Sequence, residues 1–230
     1  MKKKGILIIS GIIIVLAIAA MLIFVFSGNG DSENSAKVNL EGTWKVVAYS
    51  NLGNLTVIEN EFMVFENGST SDYRDGNVVP FVSSKYEQKD NEVTFTDLSK
   101  TYIIDKKTDN YICLYEAKDV YRCLIRYKND DMSPIGIDDN YIIGKWDIVF
   151  GSSSQPYQDC LVFDSNGTVS RYKDGSEKAI ATAEYSMENG QLVVTSWNKS
   201  MIVYPITDSS MILFEIENGA EHIWDLKKAD

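Results

Sequence analysis

The sequence predicts an all-β protein: two tandem, small, up-and-down eight-stranded β-barrels after one N-terminal transmembrane helix. Three observations predict this. The second half of the chain repeats the first at an offset of 99 residues, short β-rich runs alternate with turn dipeptides through both halves, and residues 5–26 are almost unbroken apolar sequence.

At that offset Gly68 falls on Gly167, Tyr73 on Tyr172, Asp75-Gly76 on Asp174-Gly175 and Tyr86 on Tyr185, with Leu114-Tyr115-Glu116 on Leu213-Phe214-Glu215. Upstream, Gly42-Thr43-Trp44 matches Gly144-Lys145-Trp146. Periods of about 20–50 residues build solenoids, so a repeat this long reads as a duplicated domain.

Lys2-Lys3-Lys4 precedes Gly5–Phe26, where Ser10 is the one polar residue. As a helix this run is about 33 Å long, enough for a hydrocarbon core of about 30 Å. Lysines before it and none just after place the N-terminus inside and the rest of the chain outside the cytoplasmic membrane. An Ala-x-Ala triplet at Ala17 and Ala19 raises the alternative of a cleaved signal peptide. Cutting there, however, leaves Ala20–Phe26 as an exposed apolar N-terminus. The reading is an uncleaved anchor. Residues 1–4 are then a cytoplasmic stub, 5–26 the anchor, 27–39 a polar linker, 40–128 the first domain, 129–141 a second linker and 142–230 the second domain.

Within each domain Asn-Gly and Asp-Gly dipeptides sit between β-rich runs, a strong hairpin signal. The expected strands of the first domain are 42–50, 60–66, 69–74, 82–88, 92–97, 100–105, 110–116 and 120–127. Those of the second are 144–150, 158–164, 167–173, 179–187, 191–197, 200–205, 210–217 and 220–227. No window after Phe26 keeps a helical period. Eight short strands joined by tight turns close into a barrel, because closure removes exposed edges.

The net charge is −11. Without the first thirty residues 19 basic face 33 acidic side chains, which repels nucleic acid and anionic lipid surfaces. His222 is the single histidine and has no partner cluster, no Gly-x-Ser-x-Gly elbow occurs, and no phosphate-cradling glycine loop appears. The expectation is therefore no enzyme, no cofactor, no metal and no catalytic residue. Asp130-Asp131 with Asp138-Asp139 miss the EF-hand spacing and read as linker.

Cys113 and Cys123 flank a turn. A three-residue loop at 117–119 pairs Glu116 with Val120 and sets the two cysteines directly opposite one another, as a disulfide or as two buried thiols. At the offset of 99, Ile212 and His222 stand in their places. Cys160 reads as a core residue. Tyr111–Tyr115 and Met211–Phe214 are apolar on both faces, so both faces need cover, and the sister domain is the expected cover for the outer one.

Gly42/Trp44 and Gly144/Trp146, the turn around Phe163, Gly167 and Thr168, and Asn189–Val194 resemble the bacterial lipocalin-like (calycin-type) domains. The resemblance implies that Trp44 and Trp146 each close one barrel end and that the other end holds a small apolar ligand. It also implies an arginine near the last strand packed against the tryptophan. Arg122 or Arg126 suits the first domain, and only Lys227 and Lys228 are at hand in the second. The expected function is membrane-anchored, extracytoplasmic, non-catalytic binding of a small apolar or lipid-like ligand. The alternative is an interaction module that docks another envelope protein with the barrel exteriors.

Overall fold

The computed structural model describes residues 38–129, 132, 136–138, 140–151, 159–173 and 176–229. The anchor at 5–26, the stub at 1–4, nearly all of the first linker, Asp130, Asp131, Asp139 and the Asp174-Gly175 turn lie outside the described residues. Among the described residues no helix is long and apolar enough to cross a membrane.

The first barrel comprises β1 (Gly42–Asn51), β2 (Asn54–Glu66), β3 (Ser69–Arg74), β4 (Val82–Lys89), β5 (Glu92–Phe95), β6 (Lys100–Lys106), β7 (Tyr111–Ala117) and β8 (Val120–Arg126). The second comprises β9 (Gly144–Gly151), β10 (Cys160–Asp164), β11 (Thr168–Tyr172), β12 (Ala179–Glu188), β13 (Gln191–Val194), β14 (Lys199–Thr207), β15 (Ser210–Glu217) and β16 (Ala220–Lys228). In each, consecutive strands pair antiparallel and the last pairs with the first, closing the barrel.

Four expectations from sequence need correcting. The strands expected at 92–97 and 191–197 stop at Phe95 and Val194, and single 3₁₀ turns follow at Thr96–Leu98 and Thr195–Trp197. These turns end on Ser99 and Asn198 at φ 52° and 51°, in the left-handed region that Asn enters more readily than most residues with a side chain. Residues 51–59, which the expected strands 42–50 and 60–66 leave as a connection, are instead a hairpin arm, because β2 begins at Asn54. The β7–β8 connection closes at Ala117↔Val120 with a bulge between Tyr115 and Ala117, and the extra bulged residue restores the Cys113↔Cys123 opposition. Lastly, the offset drifts to 102 in the final strand, since Ile212 pairs with Asp225. The counterpart of Cys123 is therefore Asp225, and His222 faces Glu215 instead.

Trp44 and Trp146 are fully buried, each at one barrel end. Their indole N–H groups donate to Leu40 O and Ile142 O, both at 2.7 Å, so a large apolar area is buried with no polar atom orphaned. Gly42 and Gly144 hold φ of 110° and 124°. A Cβ at Gly42 would stand 3.3 Å from Arg126 Nη1, and one at Gly144 would stand 3.4 Å from Lys228 Cε. Gly-x-Trp thus leaves room for a cation over the indole. Arg126 lies 4.2 Å above the Trp44 ring and donates to Glu41 O at 2.8 Å and Asn39 O at 2.6 Å. Lys228 takes its place over Trp146 at 5.4 Å.

Alternation along the strands divides the apolar residues into three cores. Ile112, Leu114 and Leu124 face into the first barrel with Trp44 and Phe65. Met211, Leu213 and Leu226 face into the second with Trp146 and Phe163. The opposite faces form the third core, in which Tyr111, Cys113, Cys123 and Ile125 pack on Tyr204, Ile212, Phe214 and Ile223. A bulge at Val47, where the register shifts between Val46 and Ala48 against both neighbours, turns Val47 and Ala48 outward into this core together. The matching outer faces of β7 and β15 therefore cover each other. Around them Tyr121 Oη donates to Glu221 at 3.0 Å, Asn110 donates to Asp225 at 3.4 Å, and Lys128 pairs with Asp208 at 2.7 Å.

Arg126→Ala removes charged hydrogen bonds to backbone carbonyls, whereas Lys228→Ala removes only a ring contact. By urea denaturation the arginine variant is expected to lose roughly 1–2 kcal/mol more than the lysine variant, after discounting for partial exposure. The interface supplies a pH signature through Asp225, whose carboxyl burial pushes above the usual range against the hydrogen bonds from Thr108 and Asn110. A raised folded-state pKa means that the native state binds the proton more tightly. Its contribution is therefore lost as pH rises from the ordinary carboxylate range through the raised value. The melting-temperature gain of Asp225→Asn over the parent should be larger at neutral pH than at about pH 3, where the parent is mainly protonated in both states.

Candidate functional site

With one end of the first barrel closed by Trp44, the strand directions place the β1–β2 hairpin, the β3–β4 loop, the Thr96–Leu98 turn and the β7–β8 hairpin at the other end. The interior at this mouth is polar. From β3, Thr70 and Asp72 are buried, from β4 Ser84, and from β6 Tyr102. Arg122 enters from β8 between the residues that line the core. Its Nη1 lies 3.0 Å from Asp72 Oδ2 and 3.1 Å from Glu61 Oε1. Arg74 Nη2 approaches Asp72 Oδ2 at 3.2 Å, and Arg74 Nε approaches Glu61 at 3.3 Å. Burial, with Asp72 beside it, raises the Glu61 carboxyl above its ordinary value despite the two guanidiniums. Burial works against the Arg122 charge too, but Glu61 and Asp72 outweigh it and raise its pKa.

These four charges balance to zero, yet the hydrogen bonding does not close. Asp72 Oδ1, Thr70 Oγ1 and Arg74 Nε are buried without a hydrogen-bond partner among the described residues, the Asp72 side chain being only 5% exposed. Native interiors leave few such atoms. Thr70 and Asp72 line a cavity of about 40 Å³ together with Met63, Ser84, Phe95, Leu98, Tyr102 and Arg122. That holds a few water-sized groups and no acyl chain.

Above this floor the rim is apolar. Val78, Val79 and Phe81 in the β3–β4 loop are 87%, 70% and 69% exposed, Leu52 at the β1–β2 turn is 79% exposed, and Leu98 is partly so. Arg74 stacks under Phe81 at 4.4 Å and joins rim to floor.

The second barrel is a control written by the same duplication. Register places Leu161 where the first barrel has Met63, and Trp224 where it has Arg122. The repeat likewise puts Val169 for Thr70, Arg171 for Asp72, Ala183 for Ser84 and Met201 for Tyr102. One acid–base pair survives: Asp159, at the position of Glu61, is bonded by Arg171, at the position of Asp72, at 2.7 Å and 3.0 Å. Most of the first barrel's polar positions are apolar here, and Leu161, Val169, Ala183 and Met201 pack into the core.

Cys113 and Cys123 face outward from the first barrel into the third core, fully buried. They are free thiols, and Cys113 Sγ donates to Cys123 Sγ at 3.5 Å and approaches Tyr111 Oη at 3.7 Å. The hydrogen bond to Cys123, then burial, then the nearby Glu221 push the Cys113 thiol well up. Trp44, Trp146, Gly42 and Gly144 all lie at the closed ends. The sequence reading therefore named residues that build the barrels and a thiol pair at their junction. It missed the mouth, whose signal was the exchange of Thr70, Asp72 and Arg122 for Val169, Arg171 and Trp224, visible only once the strands are in register.

No family model and no curated protein matches the chain. Two solved structures are similar to it. One is an uncharacterized protein from Bacteroides eggerthii, 17% identical, covering 39% of this chain and 100% of that one, with a TM-score of 0.32. The other is a protein of unknown function of the DUF3598 family from Nostoc punctiforme, 9% identical, covering 82% of this chain and 96% of that one, with a TM-score of 0.33. Likenesses this distant carry no argument about the site.

Thr70→Val installs the residue of the second barrel and removes the orphaned hydroxyl. Chemical denaturation should show it neutral or stabilising by about 1 kcal/mol. Arg122→Ala leaves Glu61 and Asp72 with Arg74 as their one cation and should cost about 3 kcal/mol, the low end for a broken buried pair given the partial exposure of the arginine.

Proposed function

We propose that this protein is a membrane-anchored, extracytoplasmic, non-catalytic binding protein whose site is the mouth of the first barrel. The observation that carries the reading is the polar floor of that mouth, with Asp72 Oδ1 and Thr70 Oγ1 unpaired beneath an apolar rim, at positions mostly apolar in the sister barrel. The unpaired carboxylate oxygen accepts a hydrogen bond and the hydroxyl both donates and accepts, so the group they suit is a donor: an ammonium, an amide N–H or a hydroxyl. Val78, Val79, Phe81 and Leu98 suit an apolar body behind it. The ligand class is thus amphipathic. Its donor tip enters the cavity of about 40 Å³ while its apolar part stays at the rim. This moves the small apolar or lipid-like ligand expected from sequence out of the barrel interior, which side chains fill. The membrane anchor and the extracytoplasmic location rest on residues 1–26 of the sequence. A second reading, docking of an envelope protein, draws support from the same exposed rim, since large apolar groups exposed together are a mark of interaction sites.

The test uses the full chain in lipid nanodiscs with methyl-labelled Thr, Val, Leu and Met, titrated with hexylamine, hexanol and hexanoate. The amine and the alcohol are expected to shift the Thr70, Val79 and Leu98 methyl signals and leave Val169 unmoved, while hexanoate is without effect. Val79→Ser with Phe81→Ser should weaken amine binding about tenfold, the loss of roughly 1.4 kcal/mol of apolar contact. An equal response to hexanoate, or no shift at the mouth with any probe, overturns the small-ligand reading. In the second case, site-specific crosslinking from position 79 in cells decides for or against an envelope-protein partner.

A further inference from the structure

The third core contains one cluster that packing alone does not account for. Cys113 from β7 and Cys123 from β8 meet Glu221 from β16 of the other barrel, and one ligand atom from each lies within 4.8 Å of the others. An apolar interface has no need of a carboxylate at two buried thiols. Ionised, the three would set like charges side by side with little solvent between them. A cation inverts that balance, since thiolates and a carboxylate around a metal ion are neutralised by it.

We propose that Cys113, Cys123 and Glu221 form a binding site for a soft or borderline d¹⁰ cation of the zinc class, which ties the two barrels together. The sulfur atoms stand 3.5 Å apart. Two zinc–sulfur bonds of about 2.3 Å at a near-tetrahedral angle span about 3.8 Å, so the pair needs to open by only a few tenths of an ångström. Glu221 supplies a third ligand oxygen, and its carboxylate already accepts the Tyr121 hydroxyl at 3.0 Å. Outer-shell bonds of this kind orient a ligand toward its ion. Tyr111 Oη, 3.7 Å from Cys113 Sγ, borders the fourth position. Binding breaks two S–H bonds, forms two metal–sulfur bonds and releases both protons to solvent, with no change of oxidation state. Affinity therefore rises with pH. Two thiolates and one carboxylate around a divalent ion leave one negative charge, and Lys107 lies within the field of Cys113 and Glu221. Glu221 is only half-buried, which gives the ion a way in.

The experiment titrates the full chain in detergent, with its thiols kept reduced by a phosphine, using Cd²⁺ and following the ultraviolet sulfur-to-cadmium charge-transfer absorption, with Zn²⁺ as competitor. The expected result is one cadmium per chain, displaced by zinc, with a raised melting temperature. Cys113→Ala and Cys123→Ala should each abolish the band, and Glu221→Gln should weaken binding at least about tenfold. The small apolar substitutions suit a buried site, and an unchanged circular dichroism spectrum checks that each variant is folded. Three results overturn the proposal: no band in the reduced protein, a band untouched by Glu221→Gln, or thiols that only oxidise to a Cys113–Cys123 disulfide and bind no metal when reduced.

Discussion

The two barrels are held by a single requirement, that the outer faces of β7 and β15 be kept from water. A closed barrel in solvent can show a polar exterior, but Tyr111, Cys113 and Tyr115 on one side and Ile212, Phe214 and Ile216 on the other cannot. Packed on each other they make a third core between the two barrel cores. Each barrel alone is a small domain with a limited interior, and the shared core supplements the apolar burial that such domains lack. The same packing desolvates Asp225 and brings Glu221 to the thiol pair.

Duplication left the closed ends alike and the mouths different. At the closed ends an indole N–H, a backbone carbonyl, a glycine at positive φ and a cation over the ring recur in both copies, because each solves the same geometric problem. At the mouth of the first barrel, Arg122 occupies the strand position that holds Trp224 in the second. A guanidinium in a barrel interior is costly unless carboxylates meet it. Glu61 and Asp72 do so, and the neutral quartet with Arg74 is the outcome. Such a network specifies geometry more than it adds stability. Asp72 Oδ1 and Thr70 Oγ1 stay without a hydrogen-bond partner among the described residues.

Much of the fold was legible in the sequence. Asn-Gly and Asp-Gly turns, alternating β-rich runs and the repeat marked sixteen strands whose observed order matches, because hairpin chemistry is local and each strand pairs with its sequence neighbour. Strand ends at Phe95 and Val194 were harder to see, since the 3₁₀ turns that follow use residues compatible with extended chain. Bulges at Val47 and Glu116 were invisible for a related reason: one inserted residue changes facing without changing composition. The candidate site was hidden more deeply. Thr70, Asp72, Ser84 and Tyr102 lie on three strands, and nothing in their spacing joins them to Arg122.

By itself, then, the sequence determined the all-β class, the two-fold repetition, the eight-strand meander of each copy and the paired tryptophans, all of which follow from local turn geometry and from period-two alternation. Tertiary structure alone decided which of Arg122 and Arg126 covers Trp44, that Asp225 and not His222 answers Cys123, and that Glu221 meets the thiols of the other barrel. These depend on register accumulated around a closed sheet and on the fit of two convex surfaces. A shift of one residue reverses every side chain's facing, and no local signal records it.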